Sequence, residues 1–269
     1  MSVSDELAGY VDVWWQAVDA FTALLEHVPD DAWHHPTDLP GWDVHDIAAH
    51  TAHLEALLAG AEHDNVEIGE PAHVRGMLGQ FTEQGVVARK DRTPDELINE
   101  IRSAATARHT ALLADPPTDP DAPAPGVFGM IGWSTRTLLR NRPLDVWMHE
   151  QDLRRALDLP GGLHTAPAAH TADYLAESLG IVVAKRAKAP AGTRVVLDID
   201  GHARAVEVND AGRAVPVEVP ADPTVTIRTD RESFALLAGG RRKPESGRVQ
   251  LAGDPVLAER IVEVMAVTP

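Results

Sequence analysis

The spacing of apolar residues changes period once along this chain, and one kind of element cannot serve both periods. Up to about residue 160, apolar side chains recur every three or four positions. Leu7, Val11, Trp14, Val18, Phe21, Leu25 and Val28 form one such stripe, ending before Pro29. That is the pattern of a helix burying one face in a bundle. Beyond Leu159, "TRVVLDID", "HARAVEVN" and "PTVTIRTD" alternate apolar with polar residues and are rich in Val, Ile and Thr, as strands are. The spacing therefore predicts a helical bundle over 1–160, followed by a small α+β domain over 161–269.

Start and stop signals sharpen the helices. Asp43 reads as an N-cap with Asp46 supporting the first turn, opening a helix that runs to about Gly60. "TPDEL" at 93–97 combines a Thr93 cap, Pro94 at the first helical position and Glu96 closing a capping box. A shorter helix is expected around "HVRGMLGQFTEQGVVARK", and a surface loop over the proline-rich 115–126. "WSTRTLLRN" begins a further helix that meets Pro143, so the chain either kinks before Asp145 or begins a new helix there. Trp33 and Trp42, in the loop before Asp43, are expected to plug the end of the bundle. In the second domain, "APAAHTADYLAESLGIVVAKRAKA" reads as one helix, "RESFALLAGG" as a short one, "GRVQLAG" as a strand and "DPVLAERIVEVM" as a closing helix capped by Asp254.

Composition narrows the chemistry. The 269 residues carry a formal net charge of −17, which disfavours a nucleic-acid backbone or an anionic membrane surface as partner. No apolar run has the length to span a bilayer, and acids stand where a signal peptide carries positive charge, so a cytoplasmic protein is expected. There is no cysteine. Protein thiolates, disulfides and cysteine-ligated zinc are excluded, and any thiol chemistry needs a thiol supplied as a small molecule.

One segment, "RPLDVWMHEQDLRRAL" at 142–157, places Asp145 and His149 four residues apart, side by side on one helical face. A surface ion pair or a buried hydrogen bond is the ordinary reading of such a pair. His50 sits on the apolar face of the second helix, between Ile47 and Leu54, where a core histidine bonded to a neighbour is the ordinary reading. Together, on facing helices of a bundle, the three make a candidate metal site. Two imidazoles and a carboxylate suit a divalent first-row metal and leave a position open for water or substrate. Asp152, one turn past His149, either accepts from that imidazole or pairs with Arg155 or Arg136. His34 and His35 are expected to be solvated, and His45 and His53 to lie exposed on other faces of the second helix. Arg241 and Arg242 are either a clamp for a substrate carboxylate or part of a solvated loop.

"LPGWDVHDIAAH", followed about a hundred residues later by "RPLDVWMHEQDLRRAL", resembles the mycothiol-dependent maleylpyruvate isomerase family, a branch of the DinB-like metal-binding four-helix bundles. "DPTVTIRTDRESFALLAGGRR" and "GRVQLAGDPVLAERIVEVMAVTP" are similar to the sterol-carrier-protein-type domain that follows the bundle in many members. The resemblance implies a divalent metal, usually zinc, held by residues that fall here on His50, Asp145 and His149. The family's pattern carries a glutamate where this chain has Asp145, one methylene shorter.

It further implies mycothiol as thiol cosubstrate, acting on a small electrophilic or unsaturated acid by cis–trans isomerisation or S-transfer. A metal lowers the pKa of a thiol, and the thiolate is the nucleophilic form, which accords with a chain that has no cysteine of its own. Two other readings stay open: metal-assisted hydrolysis by bound water, and a non-catalytic metal- or ligand-binding module whose second domain holds an apolar molecule.

Overall fold

The structure, a computed structural model, describes residues 2–268. It divides into two compact units, the first reaching Pro167 and the second beginning at Ala168.

The first unit is helical. Its elements are α1 (Val3–Leu25), α2 (Val44–Leu58), α3 (Gly76–Val87), α4 (Pro94–Ala114), the short α5 (Gly126–Met130) and α6 (Thr135–Ala156). Local chemistry explains where the long helices begin. The Ser2, Asp43 and Thr93 side chains each accept from the backbone three residues on, and Asp5, Asp46 and Glu96 reach back to close a capping box. Ser134 caps α6 alone. α6 then continues through Pro143 as one helix of 22 residues. A proline inside a helix removes one ladder bond and costs about 3 kcal/mol. Packing offsets this, because Leu138 and Leu139 before it and Leu144, Val146, Trp147 and Met148 after it are all buried.

α1 lies against α6 and α4, and α2 against α4 and α3, with a smaller contact between α2 and α6. The whole α1 stripe from Leu7 to Val28 is buried, together with Ile47, Leu97, Ile101, Val146 and Leu153. Trp33 joins this core, whereas Trp42 stays half-buried at its edge. Trp147 and Gln151 tie α6 to the loop after it, donating to the carbonyls of Gly162 and Gly161 at 3.0 and 3.2 Å.

Two expectations about α2 are overturned. His45 and His53 are buried rather than exposed, at 5% and 0% of their free surface. The reason is that α2 is enclosed all round: every residue from Val44 to Ala56 except Asp46 is buried. A helix with small alanines between its histidines can be surrounded, and the apolar stripe then no longer marks the only inward face. His53 lies 3.3 Å from an Asp64 oxygen and faces the His63 and Phe81 rings. Gly85 of α3 presses on it: a Cβ there would stand 2.1 Å from His53 Cγ.

The second unit carries β1 (Arg194–Ile199), β2 (His202–Val208), β3 (Ala214–Val217), β4 (Val225–Thr229) and β5 (Val249–Gly253) in the order β3-β2-β1-β4-β5. β1 pairs parallel with β4, as in Val195 opposite Val225, and the other pairings are antiparallel. β3 was not legible in the sequence, since it is four residues long and contains Pro216. It is an edge strand, the place where a proline is tolerated. The single long helix expected from Ala166 is divided. α7 (Ala166–Ala176) is followed by the short α8 (Leu179–Ile181) and a π-helical turn over Val182–Arg186. Gly180 lets β3 approach this break, as a Cβ there would meet the Ala214 carbonyl oxygen at 3.2 Å. α9 (Arg231–Ala238) follows β4, and α10 (Pro255–Glu263) packs on β4 and β5. Among the described residues no helix is long and apolar enough to cross a membrane.

Burial and the nearby Arg89 guanidinium push the His53 imidazole down to about 3. Below about pH 6.5 the unfolded chain binds a proton there that the folded chain refuses. Stability should therefore fall as pH drops from about 6.5 towards 3, by about 1.4 kcal/mol per pH unit for this group, and His53 should contribute no slope above that window. In urea titrations at several pH values, His53→Leu is expected to lose less stability on acidification than wild type. Parallel curves for the two proteins would show that His53 is not held neutral. Gly85→Ala should lower stability by about 1–3 kcal/mol through overpacking against the ring, although alanine is the better helix former. A stabilised Gly85→Ala variant in the same titration would refute the close packing.

Candidate metal centre

α2 brings His50, and α6 brings Asp145 and His149, to one place. One ligand atom from each lies within 4.8 Å of the other two. His50 Nε2 stands 3.7 Å from Asp145 Oδ2, and His149 Nε2 stands 3.7 Å from Asp145 Oδ1. Both separations are longer than a hydrogen bond. They are close to the roughly 3.4 Å that separates two ligands held about 2.0–2.1 Å from one tetrahedral ion. Both imidazoles are buried, and their rings meet edge to face at 4.9 Å. Trp42 lies tilted beside them, its ring 4.9 Å from His50 and 6.2 Å from His149, fixed by a 2.9 Å bond from its Nε1 to Glu83.

The electrostatics suit a cation. Burial pushes the Asp145 carboxyl up, but Arg142, His149 and His50 outweigh that and hold it well below the usual carboxylate range. Burial holds His50 below its ordinary value against the opposing pull of Asp145, so its ring is neutral and offers a lone pair. His149 Nδ1 faces Asp152 Oδ2 at 3.3 Å, while the other oxygen of Asp152 accepts from Arg155. Of the alternatives for Asp152, the pairing with Arg155 is a hydrogen bond, whereas His149 Nδ1 lies near the other oxygen without hydrogen-bonding geometry. Arg155 in turn reaches Asp38 at 2.7 Å. Arg136 pairs instead with Glu6, at 3.5 Å. His50 Nδ1 is buried with no hydrogen-bond partner among the described residues.

Behind Asp145 lies a set of buried charges that the sequence reading missed. Arg142 donates from Nη1 to Asp145 Oδ2 at 2.8 Å and from Nη2 to Glu55 Oε1 at 2.7 Å. Glu55 also accepts from Trp14 Nε1 at 3.1 Å, and its other oxygen lies 3.6 Å from Arg108. Arg108 sits over the Trp14 ring, 4.4 Å from its centroid, and burial, with the Arg142 charge nearby, pushes it down to about 10. Arg108 on the apolar stripe of α4, and Arg142 one turn before Asp145, were the available signals. Glu55 gave none beyond its place on the histidine-bearing helix.

Other candidate residues are placed differently. Asp43, His45 and Asp46 also cluster. Their groups are committed elsewhere: the two acids close the cap of α2, His45 Nε2 lies 2.8 Å from the Arg92 carbonyl oxygen, and Asp43 Oδ2 lies 2.8 Å from His34 Nδ1. His34 is exposed, as expected, and so is His35. Arg241 and Arg242 follow α9 in the second unit. Arg241 is half-buried, with Nη1 on the Gly239 carbonyl oxygen at 2.7 Å, and Arg242 is exposed.

Comparison with known proteins accords with this architecture. Residues 14–154 match the family described as "Mycothiol maleylpyruvate isomerase N-terminal domain", and residues 169–260 match "MDMPI C-terminal domain". No curated protein matches the chain. A crystal structure of the mycothiol-dependent maleylpyruvate isomerase is similar in fold, with a TM-score of 0.55 at 16% identity. That of a histidine-to-alanine mutant of the same enzyme gives 0.57, also at 16% identity. Each comparison covers 94% of this chain and 96% of the other. With more than half of its length matched by the N-terminal model and most of the remainder by the C-terminal one, the chain belongs to the mycothiol maleylpyruvate isomerase family.

Proposed function

We propose that the protein is a metal-dependent enzyme that uses mycothiol to isomerise, or to transfer sulfur to, a small electrophilic or unsaturated acid. The observation that carries this reading is the convergence of His50, Asp145 and His149 at separations too long for hydrogen bonds and suited to a shared ion. Two imidazoles and one carboxylate fit a divalent first-row metal, zinc foremost, and three protein ligands leave a position open. The names of the family and of its similar structures supply the thiol and the class of reaction.

A metal bound there would supply the Lewis acidity that favours a thiolate over a thiol at neutral pH. The chain's own residues do the rest. His50 and His149 offer lone pairs from buried rings, and Asp145 offers the negative charge. Asp152 lies beside His149 Nδ1 at 3.3 Å, the place from which an outer carboxylate would orient a ligating imidazole. Trp42 covers the two imidazoles on one side. Arg241 and Arg242 remain, within the second unit, candidates for holding a carboxylate, the task to which a guanidinium fork is suited. An apolar cavity of the second unit, lined by Leu175, Leu179, Leu197 and Phe234, has a volume of about 10 Å³, room for one water.

Elemental analysis of protein purified without a chelating tag should find one divalent metal per chain. His149→Ala should lose it, and His53→Leu should keep it. Equal loss in both folded variants would place the site elsewhere. Turnover of unsaturated or electrophilic acids, assayed after gel filtration and zinc restoration, should require added mycothiol. Full activity without thiol would hand the chemistry to metal-activated water.

A further inference from the structure

We propose that the buried Glu55 and Arg142 act together as a positioning pair for the cation site. Arg142 orients the Asp145 carboxylate, and Glu55 cancels the positive charge that Arg142 would otherwise set against a bound ion. The inference rests on the metal reading of His50, Asp145 and His149 given above.

Arg142 is 1% exposed and Glu55 is 0% exposed, so water screens neither. The two terminal nitrogens of Arg142 are divided between the two carboxylates, Nη1 on Asp145 and Nη2 on Glu55. Its bond to Oδ2 fixes the plane of the Asp145 carboxylate, and Oδ1 is left facing His149 Nε2. A guanidinium in this place orients a ligand but also repels the ion the ligand is meant to hold. Glu55 resolves that conflict by supplying a second anion on the far side of Arg142. Arg108 is the opposing element, a second guanidinium drawing on Glu55 at 3.6 Å.

The four charges linked through Arg142 and Glu55 balance. Arg142 and Arg108 contribute two positive charges, and Asp145 and Glu55 two negative ones. Removing the charge of Glu55 leaves the cluster one unit positive, and removing that of Arg108 leaves it one unit negative. The two changes should alter cation affinity in opposite directions. A purely structural role would have both weaken it, since each breaks a buried interaction on the same side of the core.

The test measures zinc dissociation constants by competition with a chromophoric chelator, together with the visible spectrum of the cobalt-substituted protein. Glu55→Gln, nearly the same shape, should weaken zinc binding by about 10–100-fold, the usual effect of losing an outer contact. Arg108→Met should tighten it. The double variant should return close to the wild-type constant. Cobalt band positions should stay unchanged throughout, because the ligands do not change.

Should Glu55→Gln fail to fold, the direction of the Arg108→Met effect decides alone. Wild-type affinity in either single variant, weakening by both, or losses that add in the double variant would overturn the inference. A wild-type chain that takes up no zinc overturns the reading of the site and this inference with it. Wild-type binding with unaltered variants overturns the inference alone.

Discussion

Glu55 is where the four long helices of the first unit meet. It stands on α2 and takes an indole N–H from Trp14 of α1, an ion pair from Arg108 of α4 and a charged hydrogen bond from Arg142 of α6. A carboxylate removed wholly from water is expensive, and nothing but opposing charge and hydrogen-bond donors can make its burial tolerable. Sliding α2 past α4 or α6 would part a buried ion pair, and sliding it past α1 would leave the Trp14 N–H without its acceptor. The cluster therefore penalises wrong registers far more than the surrounding leucines and alanines do, because apolar contacts can be exchanged for others of similar size.

Register matters because the candidate ligands come from two helices that touch only lightly. α1 packs extensively on α6 and α2 on α4, whereas α2 and α6 share a smaller contact. His50 on one and Asp145 and His149 on the other must still meet within a few tenths of an ångström for three atoms to share an ion. Arg142 spans that gap directly, holding Glu55 of α2 in one hand and Asp145 of its own helix in the other. The same side chain thus secures the fold and aims the carboxylate. Its neighbour Pro143 fits this picture, since a proline in a helix enclosed by packing loses one backbone bond without loosening the turn that carries Asp145.

Histidine is the residue type for which position on a helix informs least. His50, His45 and His53 are all buried on α2, yet they do three different things. His45 lies hydrogen-bonded to a backbone carbonyl, His53 is packed as a neutral ring against Gly85 and Phe81, and His50 faces a carboxylate and a second imidazole. An imidazole can serve as an apolar plate, a hydrogen-bonding wedge or a ligand, and the choice is made by what faces it.

The sequence by itself determined the two periods, and with them a helical unit followed by an α+β unit, because burial of one face imposes the 3.6 or the 2.0 repeat locally. It also determined the caps at Asp43 and Thr93, which depend on residues three apart. Asp145 and His149 on one face followed from the same local geometry. His50 was legible as a polar residue on an apolar stripe. Tertiary structure alone decided that α2 is enclosed on every side, that Asp152 accepts from Arg155, and that Arg142, Glu55 and Arg108 form one buried cluster. It alone placed the short edge strand over Ala214–Val217 and broke the helix after Ala176. Each of these depends on partners dozens of residues away. A charged side chain in a one-dimensional reading looks solvated until the helix that neutralises it has been brought alongside.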